Sequence, residues 1–295
     1  MIFLITASLI WMLSFGLIKR FLEDVNPDVV AFIRMAISML VFLPFVRRSI
    51  KKEKAAGMIL LGALQYGLMY AAYIRAYHYL PAHQVALMTA FTPIFVSMIY
   101  DAIQRQFHIT ALIAAIAAVA GSIVILWSHV TGATLRGIML IQGANLCFAL
   151  GQVSYKCIAE PAPVQKNNIS NLITTNAPNF FYMYLGATLL TGIFAAFSAS
   201  PQSFSFTKPQ IAVLLYLGIL PSGIAFFLWN TGATRVNAAV LAVFNNLKIP
   251  LAVIAALIIT GEQPDLVRLI SGSIILLAAL AFAARPAPVA RRQGL

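Results

Sequence analysis

Apolar residues run along this chain in blocks of about twenty, each closed by a short cluster of charges, prolines or glycines. A hydrocarbon layer about 30 Å thick takes about 20 apolar residues per helix. The blocks therefore predict ten spans, at 2–19, 28–46, 57–79, 83–100, 108–128, 137–157, 176–198, 210–232, 237–259 and 265–284. Two connections are very short, Leu80-Pro81-Ala82 after the third block and Thr234-Arg235-Val236 after the eighth, so the helices they join must form antiparallel hairpins. The first block opens at Ile2 with no basic segment ahead of it and meets its first charge at Lys19, which reads as a retained first span and not as a cleaved signal. The expected fold class is an all-α membrane protein of ten transmembrane helices.

Composition closes off the alternatives. Of 295 residues, 61% are hydrophobic and 9% charged, against roughly 45 to 50% apolar and about 25% charged in soluble domains. No loop or tail is long enough for a separate catalytic domain with its own core. The net charge of +12 could suggest nucleic acid, but its placement follows membrane topology. With the N-terminus in the cytoplasm, Arg47, Arg48, Lys51, Lys52, Lys54, Arg105, Lys156, Lys166, Arg235, Arg285, Arg291 and Arg292 share its side. Lys19, Arg20, Arg75, Arg136, Lys208 and Arg268 remain on the other. The positive-inside rule selects that arrangement, with both termini cytoplasmic. Cys147 and Cys157 are too few for a disulfide framework and read as thiols that pack between helices.

The two halves look duplicated. At a constant offset of 156, Gly62 matches Gly218, Leu64 matches Leu220, Gly67 matches Gly223 and Ala82 matches Ala238. One residue of slip then brings Pro93 onto Pro250, and Trp11 and Lys19 have the spacing of Phe148 and Lys156. This divides the chain into units 1–132 and 133–295. Five spans is an odd number, so the second copy would cross the bilayer in the opposite sense, an architecture suited to alternating access.

The motifs carry a resemblance. Trp11 followed by Ser14-Phe15-Gly16 and Lys19, then Pro27 and Arg34, Thr92-Pro93, Gly261-Glu262 and Ser271-Gly272 resemble the EamA-like permeases of the drug/metabolite transporter superfamily over nearly the whole chain. Three features depart from the family pattern. Arg105 stands near the place of a Gly-Glu pair, Lys248 where an apolar residue is common, and almost nothing precedes Ile2. The resemblance implies two inverted five-helix repeats in the inner membrane and secondary transport, most plausibly export, of small organic metabolites such as amino acids, with proton exchange as the coupling it suggests.

All eight acidic residues fall in loops or at span ends, so no carboxylate relay is expected at mid-membrane. Lys248 is the exception in charge, about eleven residues into span nine and hence roughly 16 Å deep. An ammonium at that depth needs water or a counter-ion, and a substrate carboxylate or phosphate would supply one; snorkelling, loss of the proton or capping of backbone carbonyls is the structural alternative. Pro93 and Pro250 free the carbonyls of Thr89 and Asn246 and are expected to kink their helices as hinges. Arg34, roughly 10 Å from the end of span two, reads as a structural or gating residue within reach of the interface. Trp11, Gln65, Tyr66, Tyr70, Thr92, Asn145, Ser222, Trp229 and Asn245 join Lys248 as the expected substrate-binding set. Core packing is the competing reading for each aromatic.

No His/Cys/Asp set has metal spacing, no nucleotide-phosphate loop is present, and neither a metal nor a cofactor is expected. His78, His83, His108 and His129 read as interfacial. The expected partners are a small organic solute, an amino acid or carboxylate, and the bilayer, with no nucleic acid. The alanine-rich fifth block, with Ala111, Ala114, Ala115 and Ala118, is a candidate close-packing or dimer face, leaving monomer and homodimer both open. A channel, a lipid flippase and an intramembrane enzyme are the competing classes, the last lacking a clustered nucleophile, base or metal set.

Overall fold

In lipid every backbone polar group must be satisfied within the chain, and the sequence answers with helices. The computed structural model describes residues 1–46, 50–127, 134–158, 169–260 and 265–285, and every regular element among these is helical. Among the described residues, ten helices are long and apolar enough to cross a membrane: Ile2–Leu22, Pro27–Phe45, Lys52–Ala76, Gln84–Gln104, Ile109–Leu126, Leu135–Ile158, Asn176–Ser198, Lys208–Ala233, Ala238–Ala255 and Leu266–Ala283. They are called spans one to ten in that order. The predicted division between 132 and 133, together with His129, Lys166, Gly261, Glu262 and Arg47, Arg48, Arg291 and Arg292, lies outside the described residues.

Burial runs opposite to that of a soluble protein. Leu60, Leu189, Ile193 and Ile274 are exposed on the outer surface, while Gln65, Gln152, Asn230, Asn245 and Asn246 are fully buried. Lipid tails give apolar side chains no reason to turn inward, so close packing and interhelical hydrogen bonds hold the bundle. Glycines set the closest approaches. A Cβ on Gly62 would lie 1.9 Å from the Met183 carbonyl oxygen, and one on Gly186 equally close to that of Ile59, so spans three and seven touch backbone to backbone. Gly121 and Gly272 do the same for spans five and ten. The alanines of span five are consumed in this interior contact: Ala114, Ala115 and Ala118 are wholly buried within the chain, so they offer no dimer face.

Contacts recur when the numbers of the two halves are exchanged. Span three packs on seven and span eight on two, three on six and eight on one, four on six and nine on one. The same relation appears in the backbone, where π-helical segments interrupt span three at Ala63–Leu68 and span eight at Gly218–Ile224. The helix breaks are less even. Span one is split between Ile2–Trp11 and Ser14–Leu22, and span four between Ala82–Thr89 and Thr92–Gln104. Span nine, by contrast, stays within a continuous helix, Ala238–Thr260, that passes through Pro250. A missing N–H thus interrupts one proline-bearing helix and is absorbed in the other. Of the cysteines, Cys147 is buried as expected, whereas Cys157 is exposed, with Gln104 as its neighbour.

Candidate functional site

The breaks in spans one and four face a cavity lined by residues of spans one, two, three, four, six, eight and nine. One wall is aromatic. Trp11, at the break of span one, donates from Nε1 to the Pro221 carbonyl at 2.8 Å, a group inside the π-helical segment of span eight. Its ring packs against Phe226 at 4.9 Å and Phe148 at 6.2 Å between centroids. Lys248 points its ammonium at these faces, with Nζ 5.5 Å from the Trp11 centroid and 5.9 Å from that of Phe148. The ring quadrupoles stabilise the cation while leaving its hydrogens free for a guest.

Polar groups make up much of the remaining lining. Thr92 donates to Asn145 Oδ1 at 3.2 Å and to the Thr89 carbonyl at 2.7 Å, the group that Pro93 leaves without an amide partner. Asn145 Nδ2 in turn takes the Met88 carbonyl at 2.8 Å. Arg34 joins them from span two, with Nε on Ser222 Oγ at 3.0 Å and Nη2 on the Tyr70 hydroxyl at 2.9 Å. It is 1% exposed, so it does not snorkel to the interface as its depth in the sequence suggested. Among the described residues no carboxylate lines the cavity. The buried carboxylate of Asp28 is taken by Arg75 at 2.8 Å, and Asp101 by His108 at 2.6 Å.

Of the residues singled out in the sequence, Trp11, Arg34, Tyr70, Thr92, Asn145 and Lys248 meet at the cavity. Ser222 stands one bond behind it through Arg34 and Tyr70. Gln65, Tyr66, Trp229 and Asn245 instead form a fully buried floor. There Gln65 and Asn230 exchange amide bonds at 3.0 and 3.1 Å, and Asn230 reaches the Tyr66 hydroxyl at 2.9 Å. Trp229 donates to Gln152 at 2.9 Å, and Gln152 exchanges longer bonds of 3.4 Å with Asn245. Beyond the floor, Lys156 ties span six to the turn between spans eight and nine through the Ala233 carbonyl, at 2.9 Å, and the Val236 carbonyl. At the other end a smaller space, lined in part by Ile18, Lys19, Tyr77 and His78, shares Ile18 with the cavity. Lys19 is paired there with Glu23.

Ser14, Met69, Thr89, Ala144, Phe148 and Phe226 also line the cavity without having been singled out as binding residues. Phe148 had a signal, since it matches Trp11 in the repeat. Ala144 and Met69 had none, because apolar residues in a span look alike until packing selects the inward ones.

The profile of the EamA-like transporter family matches residues 1–127 and 135–284. The chain belongs to that family. As an EamA-like transporter it is a multi-pass membrane protein that carries a small solute. The biotin transporter of Escherichia coli (strain K12) is 34% identical to it over 283 residues, covering 95% of this chain and 91% of that one. The probable biotin transporter of Pseudomonas aeruginosa is 34% identical over 280 residues, covering 94% and 95%. A solved crystal structure aligns with a TM-score of 0.75 at 15% identity over 97% of this chain and 98% of its own, which speaks to the fold alone.

Proposed function

We propose that this EamA-like transporter is a secondary carrier of biotin. The observation that carries the reading is a cavity walled by two cations, Arg34 and Lys248, with no carboxylate among its described lining residues. Such a site favours an organic anion that brings no positive charge of its own. Biotin is one: a carboxylate on an aliphatic tail, an uncharged ureido ring with amide-like donors and acceptors, and a thioether ring of low polarity. The ureido group suits Thr92 and Asn145, and the fused rings suit Trp11, Phe148 and Phe226. An amino acid, the solute implied by the family resemblance, is the poorer fit, because its ammonium group would meet Arg34 and Lys248 with no carboxylate to offset them. The relatives named as biotin transporters support the same choice.

The carrier works by alternating access between two inverted repeats, 1–132 and 133–295, in the inner membrane. The exchanged helix contacts and matched π-helical segments support the inversion, since ten successive crossings set each span antiparallel to its counterpart five spans on. With both termini in the cytoplasm, as the distribution of basic residues favours, the space beside Lys19 faces outward and the Lys156 end is shut. A site closed by a buried floor at one end favours a carrier over a channel. Counterflow in proteoliposomes tests this: labelled biotin should enter vesicles preloaded with unlabelled biotin, saturably, and excess alanine or leucine should not compete. Saturable counterflow of an amino acid with no biotin effect would overturn the substrate, and non-saturating flux would overturn the carrier.

A further inference from the structure

Arg34 is the only Lys or Arg that is fully buried among the described residues, and no carboxylate pairs with it. Its surroundings hold it in one orientation. Nε is committed to Ser222 of span eight, Nη2 to the hydroxyl of Tyr70 in span three, and the guanidinium carbon lies 4.3 Å from the centroid of the Tyr70 ring. The Tyr70 hydroxyl also lies 3.3 Å from Ser222 Oγ, which closes a three-residue ring. The remaining nitrogen, Nη1, is buried and has no partner. A desolvated guanidinium with an idle donor and no counter-anion is strongly disfavoured unless a guest completes it. Arg34 is part of the cavity wall, so a guest's anionic group meets Nη1 once the side chains that now cover it give way. Lys248 differs: it is only partly buried, and it is a point charge, not a planar fork matched to a carboxylate.

We propose that Arg34 is the anchor for the substrate carboxylate, with Tyr70 and Ser222 as positioning residues that hold its guanidinium plane, and with Lys248 serving the uncharged end of the solute at the aromatic wall. This rests on the reading of the protein as a carrier of an organic monocarboxylate. It assigns to Arg34 a binding role in place of a gating one.

The test is calorimetric titration of the purified protein with two acid and amide pairs, biotin with biotinamide and pentanoate with pentanamide. In the wild type each acid should bind roughly 10- to 100-fold more tightly than its amide, the span of a charge-assisted hydrogen bond. Arg34→Gln should bring that ratio close to one. Lys248→Gln should weaken biotin and biotinamide alike and leave the ratio standing. Tyr70→Phe, which keeps the ring and removes the hydroxyl, should lower the ratio several-fold and decides the matter if Arg34→Gln does not fold. A ratio that survives both Arg34→Gln and Tyr70→Phe, or that collapses in Lys248→Gln, overturns the anchor and leaves biotin as substrate untouched. Pentanoate binding that depends on Arg34 without any biotin binding overturns the substrate and keeps the anchor. A wild type that binds each acid no better than its amide overturns the anchor alone, and one that binds neither biotin nor pentanoate overturns both.

Discussion

Thr92 closes the gap that Pro93 opens. Proline has no amide hydrogen for the Thr89 carbonyl, and the neighbouring hydroxyl donates to it at 2.7 Å while also reaching Asn145. Thr92→Val, nearly isosteric, should therefore leave a buried carbonyl unpaired and loosen Asn145 together. The expected cost is about 1 to 3 kcal/mol, read as a lower midpoint in thermal unfolding of the purified protein and a matching loss of biotin affinity. An unchanged midpoint would make the hydroxyl incidental. The residues themselves were legible as candidates because a polar group deep in an apolar run is costly. Which of them would face the cavity was not. Asn245 is three positions from Lys248 and on nearly the same helix face, yet it turns to Gln152 in the floor while Lys248 turns to the aromatic wall.

Between helices the closest tolerances are at glycines. Spans three and seven meet at Gly62 and Gly186 with no room for a methyl group, and the obstacle in each case is backbone. Gly62→Ala or Gly186→Ala must push the two helices apart, at a cost at or above the roughly 1 to 3 kcal/mol of ordinary overpacking. Either should lower the yield of monodisperse protein from membranes. Gly143→Ala is the control, since nothing lies within 4 Å of a Cβ there. Equal yields for all three would contradict the packing described. At this scale the sequence was informative about spacing and blind to partners. The glycine matches at offset 156 pointed to duplication, whereas the contact of Gly186 with Ile59 joins residues with no sequence relation. The alanines of span five show the same limit: a small-residue stripe signals close packing, and only the fold shows that the packing is internal.

The alternating access proposed for this carrier makes a demand on the whole molecule. The shut end is tied by Lys156 to the turn carbonyls of Ala233 and Val236. The matching positions 156 residues earlier are Tyr77 and Leu80, and the lysine that corresponds to Lys156 is Lys19, at present bound to Glu23 beside the open space. On the proposed exchange of the two halves, Lys19 is expected to take those carbonyls when the cavity opens the other way. Lys156→Met should bias the carrier toward that state. Each lost charge-assisted bond is worth about 1.5 to 3 kcal/mol, so a thiol at Thr231, buried at the shut end, should be labelled at least about tenfold faster. The measurement is maleimide labelling of Thr231→Cys in a background without Cys147 and Cys157. An unchanged rate would show that the tie does not hold the end shut.

The sequence by itself determined the class, the ten spans and the short list of polar residues. Each follows from one-dimensional facts: the length of an apolar run against the thickness of lipid, and the expense of a charge or polar group in hydrocarbon. Tertiary structure decided which of those residues share a cavity, that Arg34 is buried against Tyr70 and Ser222, and that the floor seals one end. Those outcomes depend on the rotation of each helix about its own axis and on its neighbours, which interhelical packing sets and which a run of apolar residues leaves open.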